Sequence, residues 1–253
     1  GVNAKASLYH SPDKLDCHPS VSNQMHESWI REYEKVKELP VQQGKLELDL
    51  IFSYITDYMF SFIGVGVKEE SISLLKKIKT TLKYLTSKQV VAISCDSTCL
   101  NDKYVFYPTQ VRYDSQLILN SDYDNESAIR FAAEHAKQLG YKLYVKVHPA
   151  ETDAKILESY LRLREELGFY LVNTNTTQLI KNADSIVTIN STVGLEALIY
   201  GKQLKVLGRA IYSNFDQNKI KAYIHHHLIN LDYFSNEQIK PKEVSKIKNL
   251  AHF

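Results

Sequence analysis

The hydrophobic positions change rhythm once along the chain. Residues 24–39 place Met25, Trp29, Ile30, Tyr33 and Val36 at helical spacing, and Pro40 ends the run. Residues 48–63 predict a second helix, with Ile51, Tyr54, Ile55, Tyr58, Met59 and Phe62 on one face. Residues 71–85 predict a third, whose Lys76, Lys77, Lys79 and Lys83 form a solvated face. Only residues 89–94, QVVAIS, read as a strand in this part.

From residue 103 the rhythm becomes strand, loop, helix, repeated, which is the pattern of a parallel sheet with helices packed on it. Strands are predicted at 103–107, 142–147, 169–172, 185–189 and 204–207, with helices at 127–139, 151–167, 176–182 and 193–200 between them. Gly140, Gly168 and Gly201 stand where a left-handed residue closes a helix. The fold class expected is α/β, a Rossmann-like parallel sheet with helices on both faces in the C-terminal half. It follows a mostly helical N-terminal half with too few strands to be complete. The expected division is 1–100 for that partial half, 101–232 for the Rossmann-like domain, and 233–253 for a basic tail or helix.

Ligands of such sheets bind at the carboxyl ends of the strands. That rule selects Gln110 and Asp114, then His148-Pro149, then Asn190-Ser191-Thr192 ahead of Val193-Gly194-Leu195-Glu196-Ala197, and finally Gly208-Arg209. The four loops are expected to face one crevice.

Composition narrows the partners. The 253-residue chain is 44% hydrophobic and 24% charged, with 31 Lys and Arg against 29 Asp and Glu. So even a balance argues against nucleic acid as the main partner. The longest apolar run, residues 60–67, is far shorter than the roughly 20 residues of a membrane span, and no segment reads as a signal peptide. Cys17, Cys95 and Cys99 are too few for a disulfide framework, which points to a reducing, cytoplasmic compartment. The C-x-x-x-C pair lacks a second ligand pair, the triplet His225, His226, His227 reads as a solvated turn, and no metal is expected. Residues 219–253 carry six lysines against three carboxylates, which suits peripheral contact with an anionic membrane face or a solvated C-terminal helix.

The crevice residues have recognisable chemistry. Ser191 and Thr192 open a helix whose free N–H groups can cradle a phosphate or carboxylate, with Gly194 allowing close approach; ordinary N-capping is the plainer reading. Glu196 suits ribose hydroxyls or a surface position. His148 is held by Pro149 at a strand end and can stabilise a leaving phosphate, or be structural. Lys146 adds a positive charge on the same strand. Asp114 is a nucleophile, a base or a loop cap.

Four segments carry a resemblance when taken in chain order. They are Tyr107-Pro108-Thr109-Gln110-Val111-Arg112-Tyr113-Asp114-Ser115-Gln116, Lys146-Val147-His148-Pro149, Asn190-Ser191-Thr192-Val193-Gly194-Leu195-Glu196-Ala197, and Gly208-Arg209-Ala210-Ile211-Tyr212. Together, over about residues 103–215, they resemble the capsule polysaccharide biosynthesis family, and within it the retaining β-Kdo glycosyltransferases. The resemblance implies a GT-B fold, two Rossmann-like halves facing a cleft, with CMP-β-Kdo as donor substrate on the C-terminal half and no cofactor or metal. It implies Asp114 as the catalytic aspartate that holds Kdo covalently before transfer with retention, and His148 beside the CMP phosphate. Ser191, Thr192 and Glu196 match the CMP-binding segment, with Gly194 inside it, and Lys146 and Gln110 lie beside the donor.

Two features depart from that pattern. The continuation Ser213-Asn214-Phe215-Asp216 differs from the Trp-Gly-Leu-Thr type of ending of many capsule members, and the chain starts at Gly1 with an incomplete N-terminal half. The expectation is an upstream part missing here, or a longer multidomain protein. The leading expectation is therefore a retaining Kdo transferase acting at the inner membrane face on an oligosaccharide or lipid-linked acceptor of the bacterial surface. An inverting CMP-sialic acid transferase with Asp114 as base, and a non-catalytic nucleotide- or glycan-binding scaffold module, are the alternatives.

Overall fold

The computed structural model describes residues 6–7, 12–38, 94–229, 238 and 240–251. The helices expected at 48–63 and 71–85, the apolar run at 60–67 and all but the last residue of the strand expected at 89–94 lie outside them. By backbone contacts residues 1–39 and 93–253 form one unit and residues 40–92 another; the described residues belong to the first. The contacts therefore do not divide at residue 100. Leu15 and Tyr33 are buried together with Leu195, Leu198, Ile220 and Tyr223, which joins the N-terminal segment to the sheet domain.

Five parallel strands make the sheet: β2 (Tyr104–Pro108), β3 (Lys142–Lys146), β4 (Tyr170–Leu171), β5 (Ser185–Thr188) and β6 (Gln203–Val206), in the order β4-β3-β2-β5-β6. A short β1 (Ala6–Ser7) pairs antiparallel with β7 (Leu228–Ile229). Helices α1 (Asn23–Glu38), α2 (Ser115–Asn120), α3 (Asn125–Leu139), α4 (Ala154–Leu167), α5 (Thr176–Asn182), α6 (Thr192–Ile199), α7 (Gln217–Ala222) and α8 (Pro241–Ala251) complete the described elements. None is long and apolar enough to cross a membrane.

Alternation along the strands builds two cores. Val105, Tyr107, Val145 and Val187 pack with Ile129 and Ala132 of α3 and Tyr160 and Leu163 of α4. Their neighbours Tyr104, Phe106, Tyr144 and Ile186 pack with Leu179 and Ile180 of α5 and Ala197 of α6. Successive strand residues face opposite ways, so helices cover both faces. Gly140 and Gly168 end α3 and α4 at φ 68° and 71°. A Cβ would meet nothing within 4 Å at either, so conformation, not space, calls for glycine there.

Several local features differ from the sequence reading. The helix expected from residue 151 begins at Ala154, because Asp153 caps it and the Glu151 carboxylate accepts from the Asp153 N–H at 3.0 Å. Helices α2 and α7 are one and a half turns long, too short for apolar periodicity, and start on the capping carboxylates of Asp114 and Asp216. Residues 225–227 are not a solvated turn. Tyr223–His227 form a π-helical turn in which Tyr223, Ile224 and His227 are buried.

Candidate functional site

The strand order turns back between β2 and β5, since β3 and β4 lie on one side of β2 and β5 and β6 on the other. This is where a doubly wound sheet opens a ligand crevice. Gln110, just past β2, spans it. Its Nε2 donates to Asn190 Oδ1 at 2.8 Å, and the Asn190 backbone N–H donates back to Gln110 Oε1 at 3.0 Å. Behind it, Asn125 donates to the Gln110 carbonyl (2.8 Å) and accepts from the Gln110 N–H (2.9 Å) and the Tyr107 hydroxyl (3.0 Å). Asn190 Nδ2 continues the chain to the Gln116 carbonyl at 2.7 Å. The β2 and β5 exits are thereby one network.

Asp114 lies exposed on the turn between β2 and α2. One carboxylate oxygen accepts from the Gln116 N–H at 2.9 Å, which leaves the other outside the cap. Two residues earlier Arg112 donates to Asp153 at 2.9 Å and approaches Glu151 at 3.9 Å, tying the turn to the start of α4. His148 stands on the neighbouring loop, where its N–H donates to Thr109 Oγ1 at 2.8 Å. Its Nδ1 accepts from the Ala150 N–H at 3.1 Å, so the neutral ring carries its proton on Nε2. Burial holds the imidazole below its ordinary pKa, while the carboxylates of Asp114 and then Glu151 oppose that shift.

Beyond Asn190, Ser191 caps α6 and accepts from the Val193 N–H at 3.2 Å. Thr192, Asn190, Gln116, Asn120, Arg209 and Tyr212 line a cavity of about 800 Å3 beside this helix start. Gly208 brings two loops within backbone contact: a Cβ would stand 3.0 Å from the Asn120 carbonyl oxygen and from Ile189 Cγ2. Arg209 is held by its N–H to the Asn120 carbonyl (2.7 Å) and by its guanidinium to the Leu119 carbonyl (3.1 Å), with Asp122 at 3.4 Å. Its side chain is mostly exposed. The cavity thus offers a helix start and a guanidinium, suited to an anionic ligand, while the neutral imidazole of His148 and the carboxylate of Asp114 stand on the loops that follow β3 and β2.

Four expectations need correction. Gln110 does not offer its amide to a ligand, because Asn190 uses both ends of it. Lys146 donates its ammonium to the Thr174 carbonyl at 2.7 Å, and burial lowers its pKa. Gly194 leaves no room for a phosphate: the Tyr212 ring fills the space, 2.6 Å from where a Cβ would be, and its hydroxyl donates to the Ser191 carbonyl. Glu196 faces α1 and is paired with Lys37 at 2.5 Å, with 12% of its side chain exposed. It is not placed for ribose hydroxyls. Burial and then this carboxylate push the Tyr33 phenol well above its ordinary pKa.

Sequence reasoning placed Asn190 and Arg209 at the crevice without giving them a role, and passed over Asn120, Gln116 and Tyr212. Gln116 and Tyr212 lie within the strand-end segments already singled out, whereas Asn120 lies beyond the first of them. Among the described residues no three of His, Cys, Asp and Glu are grouped to hold a metal. Cys17, Cys95 and Cys99 are exposed.

Comparison with known proteins adds the family. A family model described as "Capsule polysaccharide biosynthesis protein" matches residues 47–227. The Escherichia coli capsule polysaccharide export protein KpsS is 34% identical over 125 residues, 45% of this chain and 32% of that protein. The Neisseria meningitidis serogroup B capsule polysaccharide modification protein LipB is 27% identical over 179 residues, 64% of this chain and 41% of that one. The chain thus spans less than half the length of these curated relatives. Among solved structures, Thermosulfurimonas dismutans KpsC, a β-Kdo 2,7 transferase, aligns with TM-score 0.42 at 18% identity over 70% of this chain and 60% of that chain. The matched span, residues 47–227, includes the Asp114 turn, His148-Pro149 and the Asn190–Glu196 segment, and the chain belongs to the capsule polysaccharide biosynthesis protein family.

Proposed function

We propose that this chain is the donor-binding part of a GT-B-type glycosyltransferase that moves Kdo from CMP-β-Kdo to a bacterial surface glycan with retention of configuration. The observation that carries this reading is the juxtaposition of Asp114 and His148. One oxygen of Asp114 lies outside its capping bond, and the loops that carry the two residues leave adjacent parallel strands, where the His148 N–H donates to Thr109 Oγ1. The family membership and the motif resemblance support the choice of sugar and donor.

In the first step the free Asp114 oxygen attacks the anomeric carbon, the carbon–phosphate oxygen bond breaks, and CMP leaves with the electron pair. The new negative charge on the phosphate falls to the start of α6 at Ser191 and Thr192, to Arg209 and to the Nε2–H of His148. In the second step the oxygen of an acceptor hydroxyl bonds to that carbon, the bond to Asp114 breaks with its electron pair returning to the carboxylate, and the hydroxyl proton is released to solvent. Each displacement inverts the carbon, so the product retains configuration. Gln110, Lys146, Gly194 and Glu196 act as supports of this arrangement. The acceptor, an oligosaccharide or lipid-linked glycan presented at the inner face of the cytoplasmic membrane, belongs to the same proposal.

Incubation with CMP-β-Kdo alone, rapid quenching and mass spectrometry test it. The expected result is one added Kdo on a peptide spanning residues 107–116. An unmodified peptide together with an inverted product would overturn the two-step reading in favour of a single displacement.

A further inference from the structure

Five of the nine histidines of the chain meet at one place. His18 and His26 come from the N-terminal segment, and His225, His226 and His227 from the π-helical turn some 200 residues later. His18 Nε2 lies 2.8 Å from His227 Nε2, and His26 Nδ1 lies 3.4 Å from His225 Nε2. His226 stacks on His18 at 4.5 Å between ring centroids, with planes 10° apart. His26 and His227 are buried, at 5% and 4% exposure.

A nitrogen-to-nitrogen bond between two imidazoles needs one N–H and one lone pair. One proton can be added to such a pair. A second turns it into two N–H groups and two positive charges facing each other. Asp16, on the 3-10 turn Pro12–Cys17, faces Lys219 of α7 at 3.4 Å, and Lys221 of α7 donates to Asn23 at 2.6 Å. Lys221 and burial disfavour charge on His26, while Glu27 of α1 and the Ile199 backbone of α6 favour it. On His18 burial, His226 and His227 all disfavour charge.

We propose that these five histidines form a proton-operated latch, which fastens residues 12–38 to the turn at residues 223–227 and opens on acidification. Both His18 and His26 sit below the ordinary imidazole pKa, chiefly through burial. Their contribution to attachment is therefore complete above about pH 6.5 and is lost as the pH falls through their lower folded values. Opening would withdraw α1, and with it Lys37, from Glu196 of α6. The apolar contacts of Leu15, Trp29, Ile30 and Tyr33 resist release, so the latch acts on the N-terminal segment and leaves the sheet alone.

The single tryptophan reports on it, because Trp29 stacks 6.2 Å from His26 and meets His225 edge-on at 6.3 Å. Trp29 emission and hydrogen exchange of the whole chain are followed from about pH 7.5 to 5. The expected result is a red shift of Trp29, with exchange of residues 23–38 rising, beyond the intrinsic pH effect, by up to about tenfold per pH unit for each linked proton. Strands β2 and β3 should stay protected. In the His18→Gln/His225→Gln chain, which keeps hydrogen-bonding groups but loses one titrating partner of each pair, the transition should flatten. Unchanged emission and exchange over that range in the wild-type chain would overturn the latch, and so would an identical transition in the double variant. The wild-type titration decides by itself if the variant does not fold.

Discussion

Gln110 and Asn190, eighty residues apart, hold each other in both directions across the point where β2 and β5 part. The last backbone pair between those strands is Phe106 with Ile186, so the amide of Gln110 continues the sheet where its ladder has stopped. A crevice that would otherwise open down to the strand ends has a floor, and the Asp114 turn is anchored to the loop that starts α6.

That clasp should be costly to cut. Gln110→Met keeps the length of the side chain but leaves the Asn190 amide without its partner, a loss of about 1–3 kcal/mol. A melting temperature lower by roughly 2–4 °C for each kcal/mol is expected by calorimetry. Because the Asp114 turn loses its anchor, turnover should fall more than CMP affinity. Equal losses in both would argue that Gln110 touches the nucleotide.

Asp114→Asn retains a hydrogen-bond acceptor for the Gln116 N–H, so α2 and the fold should survive. On the proposed two-step mechanism the variant lacks its nucleophile, so transfer should drop by about 1,000-fold or more while CMP binding by calorimetry stays within about twofold. Near wild-type turnover would remove Asp114 from the mechanism.

The same substitution has an electrostatic readout. Burial lowers the His148 pKa and Asp114 raises it, so removing the carboxylate should move the His148 titration midpoint further down. Nuclear magnetic resonance of the His148 ring can follow this without any substrate. The stability linked to neutral His148 is present above about pH 6.5 and declines as the pH falls through its lower folded value. An upward or absent shift in the variant would contradict an electrostatic influence of Asp114 on His148.

Glu196→Gln should loosen α1 more than it weakens nucleotide binding. It removes the partner of Lys37, whose side chain is 26% exposed, so a loss of roughly 1–3 kcal/mol is expected, less than for a fully buried pair. Exchange of residues 23–38 should rise, and CMP affinity should change less than twofold. A large fall in CMP affinity with α1 still protected would restore Glu196 to the donor site.

The sheet and its surrounding helices were legible in the sequence because alternation and helical periodicity are local. Val105 and Tyr107 against Tyr104 and Phe106, and the glycines closing α3 and α4, carry their own signals, and the observed strand ends differ from expectation by at most one residue. Motif order also picked out the Asp114 turn, His148 and the start of α6. What the sequence could not specify was the direction in which each side chain is used. Asn190 and Tyr212 compete with any ligand for Gln110 and for the space at Gly194, and Lys37 and Thr174 take Glu196 and Lys146. Each of those partners comes from a distant segment, and a polar group near a buried surface is taken by whichever partner the packing delivers. The histidine cluster is decided the same way: His225, His226 and His227 read as solvent-facing in the sequence, and only the packing of residues 12–38 against the turn buries His227 and brings His18 and His26 to the triplet.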